Sequence, residues 1–451
     1  MPDARAAALA ALVEIGRGQT AGVALDRALA AVNDDRDRRL VTELVYGVTR
    51  WRGALDQELA GLCSRPLAQL QAEVREVLRL GLYQLRHTDR IPAHAAVHAA
   101  VEAVRQAGRP QAAGLVNAVL RRAAAQAPAA PPADLADEAS HPSWLVRRWL
   151  ERLGPEETRA LLAADNAPAP VTLRVNRLRT DRDAILAELR AAGCQVGPGL
   201  WLPEAVRLQP GTPPGSLAPL AAGRCTVQGE GSMLVAHVAD PQPGWLCLDV
   251  AAAPGGKATH LAEWMGDCGT VVANDSDEGR AVACAANARR LGLHTVRTRV
   301  GDARGLPDEF ADACDLVLAD VPCSGLGTLA QRADLRWRKQ ERDVYQLAGL
   351  QAEILAAAAR CVKPGGRLVY STCTTEPEEN EAVVAGLLAE RPDFLPEDVR
   401  ARLPEPLAAA PEGQAGMVRL WPHRHGSEGF FIAVLRRAAD RPAHQARRKE
   451  R

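Results

Sequence analysis

Two cysteines follow directly on apolar runs: Cys323 in Ala319-Asp-Val-Pro-Cys-Ser324 and Cys373 in Tyr370-Ser-Thr-Cys-Thr374. A cysteine that only packs a core lies more often inside such a run. At the C-terminal end of a strand, an α/β protein builds its sites. An ionised thiol is a strong nucleophile for an electron-poor carbon. C6 of cytosine is such a carbon, and addition there makes C5 rich enough in electrons to take a methyl group from a sulfonium. The C5 proton must then leave and the thiol be eliminated, so the chemistry needs a nucleophile, an acid near N3 and a base. Residue types alone leave open which of the two thiols attacks.

A second constellation precedes the cysteines. LDVAAAPGGKATHL (248–261) runs from an apolar strand through a turn of small residues, Ala251, Ala252, Ala253, Pro254, Gly255, Gly256 and Lys257, into a helix. Small side chains let backbone N–H groups approach a ligand, and a helix N-terminus favours negative charge. The spacing is neither Gly-x4-Gly-Lys-Ser/Thr nor G-x-G-x-x-G. Asp275 stands 19 residues after Gly256, at the end of the next strand, where a carboxylate can hold the ribose hydroxyls of a nucleoside cofactor. Asp302 after the third strand can contact the exocyclic amine of an adenine, and Asp320 ends the fourth. A nicotinamide enzyme shares such a turn and ribose acid; the paired cysteines distinguish this chain from one.

The elements that must carry these groups come in three blocks. Residues 1–125 read as helices throughout, with apolar residues recurring at three and four, as at Leu40, Leu44, Val45, Val48 and Val74, Val77, Leu78, Leu82. Residues 126–142 are Ala/Pro-rich and read as a linker. Residues 143–240 mix helix and strand signals, including VTLRVN (171–176), in a small α/β domain. From 241 to 438, strand candidates at 245–250, 270–275, 295–300, 314–320, 367–372, 417–422 and 430–436 alternate with helices, which predicts a mostly parallel, seven-stranded sheet covered on both faces. Residues 439–451 read as a basic tail.

The bulk composition narrows the partners. Of 451 residues, 47% are apolar, and the formal net charge is zero, so the chain as a whole is no obvious polyanion binder. Residues 1–125 hold 17 Arg against 13 acidic residues, a net of +4, which fits a modest RNA-facing surface. No apolar run is long enough to span a membrane, and no signal peptide is evident, so a cytoplasmic protein without membrane association is expected. The ten cysteines form no C-x-x-C pair, which points to reduced thiols and no metal.

DVAAAPGGK, ADVPCSGLG, KPGGRLVYSTCTTEPEEN and the closing EGFFIAVL resemble the Sun family of RNA cytosine-C5 methyltransferases. TELVYGVTRWRGALD (42–56), LRLGLYQL (78–85), IPAHAAVHAAVEAVR (91–105) and GLVNAVLRR (114–122) resemble a NusB-like RNA-binding domain. The resemblance covers nearly everything but the linker and tail. It implies an all-helical NusB-like domain, a small α/β domain and a Rossmann-like class I methyltransferase domain. It implies S-adenosylmethionine bound by residues 251–257, Asp275, Asp302 and Asp320, with Cys373 as nucleophile and Cys323 assisting release. Asp320 and Lys257 would face the base. The implied partner is small-subunit (16S) rRNA or an assembly intermediate, and the enzyme is expected to act as a monomer. The family's turn opens with cysteine where this chain has Ala251, and its Lys-Trp is here Arg336-Trp337, a candidate RNA contact.

Two other readings compete. A NusB-like adaptor with a vestigial enzyme fold would have no use for Asp320, Cys323 and Cys373 together. A DNA cytosine methyltransferase would use the Pro-Cys thiol, Cys323, and would need neither the helical domain nor Cys373. The stretch Thr375-Glu-Pro-Glu378 reads as a capping box whose helix N-terminus lies beside Cys373.

Overall fold

The computed structural model describes residues 4–88, 91–127, 134–209, 217–409 and 416–439. The chain divides into two compact units: Met1–Pro168 with Leu329–Glu341, and Ala169–Thr328 with Arg342–Arg451. No helix among the described residues is long and apolar enough to cross a membrane.

The first unit holds seven α-helices between Ala4 and Ala125: Ala4–Gly16, Ala21–Ala30, Asp35–Arg50, Arg52–Leu62, Ala72–His87, Ala93–Gln106 and Ala113–Ala125. The three-and-four spacing does what it predicts, since Val41, Leu44, Val45 and Val48 are all buried in one core with Val77, Leu78 and Leu82. Asp34 starts its helix by accepting from the N–H groups of Arg36 (2.8 Å) and Asp37 (3.0 Å). Gly47 lets two helices touch: a Cβ there would stand 2.2 Å from the Tyr83 ring.

Three boundaries differ from the sequence reading. Within the expected linker, 128–133 lie outside the described residues, but Leu135–Glu138 is a helix and Ser140 and His141 are buried. The Ser140 hydroxyl accepts from Gly53 N–H and donates to the Arg50 carbonyl, both at 2.9 Å, so this stretch packs and is no spacer. The helix Ser143–Asn166, broken at Gly154 (φ 78°) before Pro155, groups with the helical unit by its contacts. Residues 329–341, inside the expected methyltransferase domain, also pack into the helical unit. There Arg336 is fully buried and donates to Asn166 Oδ1 (2.8 Å) and to the Ser140 and Asp165 carbonyls (3.2 Å each). Trp337 donates its indole N–H to the Thr49 carbonyl at 2.7 Å. Arg336 is therefore a structural clamp with no surface to offer RNA. The expected basic tail lies outside the described residues beyond Ala439.

The second unit contains two sheets. Strands β1 (Val171–Val175), β2 (Val196–Pro198), β3 (Ala205–Leu208) and β4 (Cys225–Val227) form an antiparallel sheet in the order β2-β3-β1-β4. Strands β5 (Leu246–Asp249), β6 (Thr270–Asp275), β7 (Val296–Val300), β8 (Cys314–Asp320), β9 (Val362–Thr372), β10 (Phe394–Pro396), β11 (Met417–Leu420) and β12 (Phe430–Arg437) form the larger sheet. Its order is β10-β12-β9-β8-β5-β6-β7, with β11 on β12. Strands β7, β6, β5, β8 and β9 run parallel, and β12 pairs antiparallel with β9. The sheet has eight strands, not the seven expected; the addition is β10, three residues long and too short to show an alternating pattern. Because five neighbours run parallel, their C-terminal ends share one edge.

Candidate active site

At that edge stand the ends of β6, β5, β8 and β9, in that spatial order, each followed by a group with chemistry. The turn 251–256 follows β5 and passes through Gly255 at φ 97°, where a Cβ would meet Cys284 Sγ at 2.7 Å. Asp275, at the end of β6, is 3% exposed and accepts from the N–H groups of Asp277 (3.1 Å) and Ala253 (3.3 Å). Arg280 pairs with the same carboxylate at 3.2 Å. Asp302 lies two residues past β7; it is exposed, and Arg304 takes both of its oxygens.

Lys257 and Asp320 meet directly, Nζ to Oδ2 at 2.8 Å, and the Ser371 hydroxyl donates to Asp320 Oδ1 at 2.8 Å. Burial works against the Lys257 ammonium, but Asp320 outweighs it and holds the group above its ordinary value. The ammonium also lies over the Phe430 ring, 5.1 Å from its centroid.

The two cysteines come together. Cys323 Sγ and Cys373 Sγ are 3.4 Å apart, within hydrogen-bonding reach for sulfur, and both residues are partly accessible. The Cys323 thiol is held well above its ordinary value, first by the hydrogen bond to Cys373 and then by burial. Either sulfur can be the donor in this contact, so the pair can share one proton. Burial also raises Cys225, Cys284, Cys314 and Cys361, to between about 11 and about 12, and these stay packed thiols.

Backbone fit brings the two cysteine loops together. Gly327 N–H donates to the Cys373 carbonyl at 3.0 Å, and Gly429 N–H donates to the Gly327 carbonyl at 2.7 Å. A Cβ on Gly327 would lie 2.2 Å from the Gly429 carbonyl oxygen. The EGFF segment therefore closes the floor under Cys373 while Phe430 meets Lys257.

The helix expected to start at the capping box is delayed. Pro377–Glu379 is a single 3-10 turn without a side-chain cap, Asn380 breaks away (φ −118°, ψ −99°), and the helix proper is Glu381–Glu390. The end of that motif binds both loops. Glu379, fully buried, accepts from Ser324 N–H (2.8 Å), Ser324 Oγ (2.5 Å) and Gln351 Nε2 (2.9 Å); Gln351 also donates to the Pro322 carbonyl at 2.9 Å. Asn380 accepts from Thr372 Oγ1 (2.6 Å) and donates to the Thr374 carbonyl (3.0 Å).

The sequence reading passed over Asp249 and Asn380, and took Glu379 only as one acid of a cluster beside Cys373. Asp249 ends β5 like the other strand-end acids; burial, reinforced by Asp320 and opposed by Lys257, raises it to about 8. Glu379 and Asn380 left no signal, because their partners are 55 and 8 residues away. Arg174, in the strand read at 171–176, is fully buried and pairs with Glu263 at 2.8 Å, anchoring the helix Gly256–Trp264.

Comparisons with known proteins agree with this arrangement. Residues 236–436 match the family described as 16S rRNA methyltransferase RsmB/F, residues 2–125 the NusB family, and residues 141–213 the ferredoxin-like domain of RsmF/B-like methyltransferases. The chain is 36% identical over 442 residues to the probable ribosomal RNA small subunit methyltransferase B of Bacillus subtilis, covering 95% of this chain and 98% of that one. It is 38% identical over 456 residues to the corresponding Synechocystis protein, covering 97% and 100%. The crystal structure of PH0851 matches with a TM-score of 0.84 at 29% identity, covering 96% of this chain and 99% of that one.

Proposed function

The chain belongs to the family of ribosomal RNA small subunit methyltransferase B, and we propose that it moves a methyl group from S-adenosylmethionine to C5 of a cytosine in small-subunit (16S) rRNA, through a transient bond between Cys373 and C6. The observation that carries this is the 3.4 Å approach of Cys323 and Cys373 beside the Lys257–Asp320 pair.

The residues at the sheet edge fit a nucleoside sulfonium. The 251–257 turn offers backbone groups and little side-chain bulk, Asp275 offers a buried carboxylate for the ribose, and Asp320 adds negative charge near a cationic donor. Asp302 would have to share its carboxylate with Arg304. When bound, S-adenosylmethionine supplies a methyl group activated by its sulfonium.

The chain's own groups divide the remaining work. The target base must leave its stack to reach a thiol at the foot of such a cleft. Cys373 adds to C6 as the thiolate, with the Cys323 sulfur 3.4 Å away. Negative charge that builds on the ring meets the Lys257 ammonium, which Asp320 keeps charged. With the methyl group on C5, Cys323 in its thiolate form takes the C5 proton, the freed electron pair re-forms the C5–C6 double bond, and the C6–sulfur bond breaks to release Cys373 as a thiolate. The same reading takes the NusB-like helices to hold RNA by shape and phosphate contact, supported by their net +4. It takes the enzyme to be a monomer in the cytoplasm, and the ten free cysteines fit a reducing compartment.

The test uses radiolabelled S-adenosylmethionine with unmodified 16S rRNA, and a DNA duplex as the control arm. Label is expected at C5 of cytosine in the RNA alone. Full transfer by Cys373→Ala, or transfer to DNA in preference, overturns the reading.

A further inference from the structure

We propose that Glu204, His237 and His260 form a binding site for a zinc-class divalent ion in the second unit, outside the cysteine site. Glu204 lies in the turn before β3, His237 on the helix Glu230–Ala239 and His260 on the helix Gly256–Trp264. Their ligand atoms all lie within 4.8 Å of one another. Glu204 Oε1 is 2.6 Å from His237 Nε2 and 3.4 Å from His260 Nε2.

Charge points to a cation here. The Glu204 side chain is 0% exposed, His260 3% and His237 11%. No Lys or Arg pairs with Glu204 among the described residues, and its Oε2 accepts no hydrogen bond. Arg174, on β1, reaches the helix that carries His260 but already matches Glu263 at 2.8 Å. A buried carboxylate without a cation is costly, and a bound divalent ion offsets that cost.

Ligand type and spacing choose the ion. Two imidazole nitrogens and one carboxylate oxygen suit zinc and disfavour magnesium or calcium, which take oxygen ligands. Ligand bonds of about 2.0–2.2 Å in a tetrahedron put neighbouring ligand atoms roughly 3.3–3.5 Å apart. The His260 pair already has that spacing, and the His237 pair needs to open by less than about 1 Å. The ion would tie three separate elements together. One of them opens with Lys257, a single turn before His260, so the site would brace the helix that carries the active-site ammonium.

The test uses the full chain without a histidine tag, in a Cys323→Ala/Cys373→Ala background so that the thiols cannot hold the ion. After chelator treatment and desalting, zinc or magnesium is titrated, with metal content by mass spectrometry and melting temperature as readouts. About one zinc per chain and a higher melting temperature are expected with zinc alone. His237→Ala, at the partly exposed position, and Glu204→Gln should each abolish both effects. A protein that takes up no zinc, or whose uptake and melting are the same in His237→Ala, overturns the proposal and leaves a hydrogen-bonded triad.

Discussion

Glu379 takes both hydrogens that Ser324 can give: its carboxylate accepts the backbone N–H at 2.8 Å and the hydroxyl at 2.5 Å. Ser324 is the neighbour of Cys323. Asn380, next along the chain, holds Thr372 and Thr374, the two neighbours of Cys373. Two consecutive residues thus set the positions of two thiols that lie 50 residues apart in sequence and 3.4 Å apart in space.

Glu379→Gln keeps the shape but replaces one acceptor oxygen with a donor facing Ser324. An error of about 1 Å in a reacting group can cost about 10²-fold in rate. A fall in kcat of that order is expected, with KM for S-adenosylmethionine unchanged; an equal loss in KM would assign Glu379 to the cofactor site instead.

Cys323→Ala leaves the nucleophile without its release partner. A covalent protein–RNA adduct that survives a denaturing gel is expected, and none with Cys373→Ala. Adduct formation by the Cys373 variant would exchange the two roles.

Lys257→Met removes the ammonium that faces Asp320 and the ring. Loss of one preorganised electrostatic contact typically costs about 10²–10³ in kcat. Single-turnover methyl transfer measures this; a rate within about threefold of wild type would exclude Lys257 from the chemistry.

Gly327→Ala drives a methyl group against the Gly429 carbonyl, where only 2.2 Å is available. Overpacking of this kind costs about 1–3 kcal/mol. Denaturant unfolding should show that loss, and activity should fall with it because Gly327 N–H holds the Cys373 carbonyl.

Asp165 links stability to pH in the helical unit. Burial raises it to about 7, with Arg336 and Arg50 opposing. The folded state therefore holds a proton that the unfolded state has lost above its ordinary value near 4, so this contribution weakens as pH rises from about 4 to about 7 and is level beyond. Asp165→Asn should flatten the melting-temperature profile across that window; a profile identical to wild type would show that Asp165 does not titrate there.

Period and composition alone determined the helical block, the alternating strands and the turn at 251–257, because burial on one helix face or both sheet faces imposes a local pattern. Strand-end placement of Asp275, Asp320, Cys323 and Cys373 was legible for the same reason: parallel strands share one C-terminal edge. Only the tertiary structure decided that the two sulfurs meet, that Lys257 finds Asp320, and that Glu379 and Asn380 hold both loops. It also removed Arg336 from any RNA surface by burying it, and moved the start of the expected helix to Glu381. Such contacts join residues from 6 to 196 positions apart. Periodicity records which way a side chain faces, but not which distant group it meets there; that depends on the packing of the whole chain.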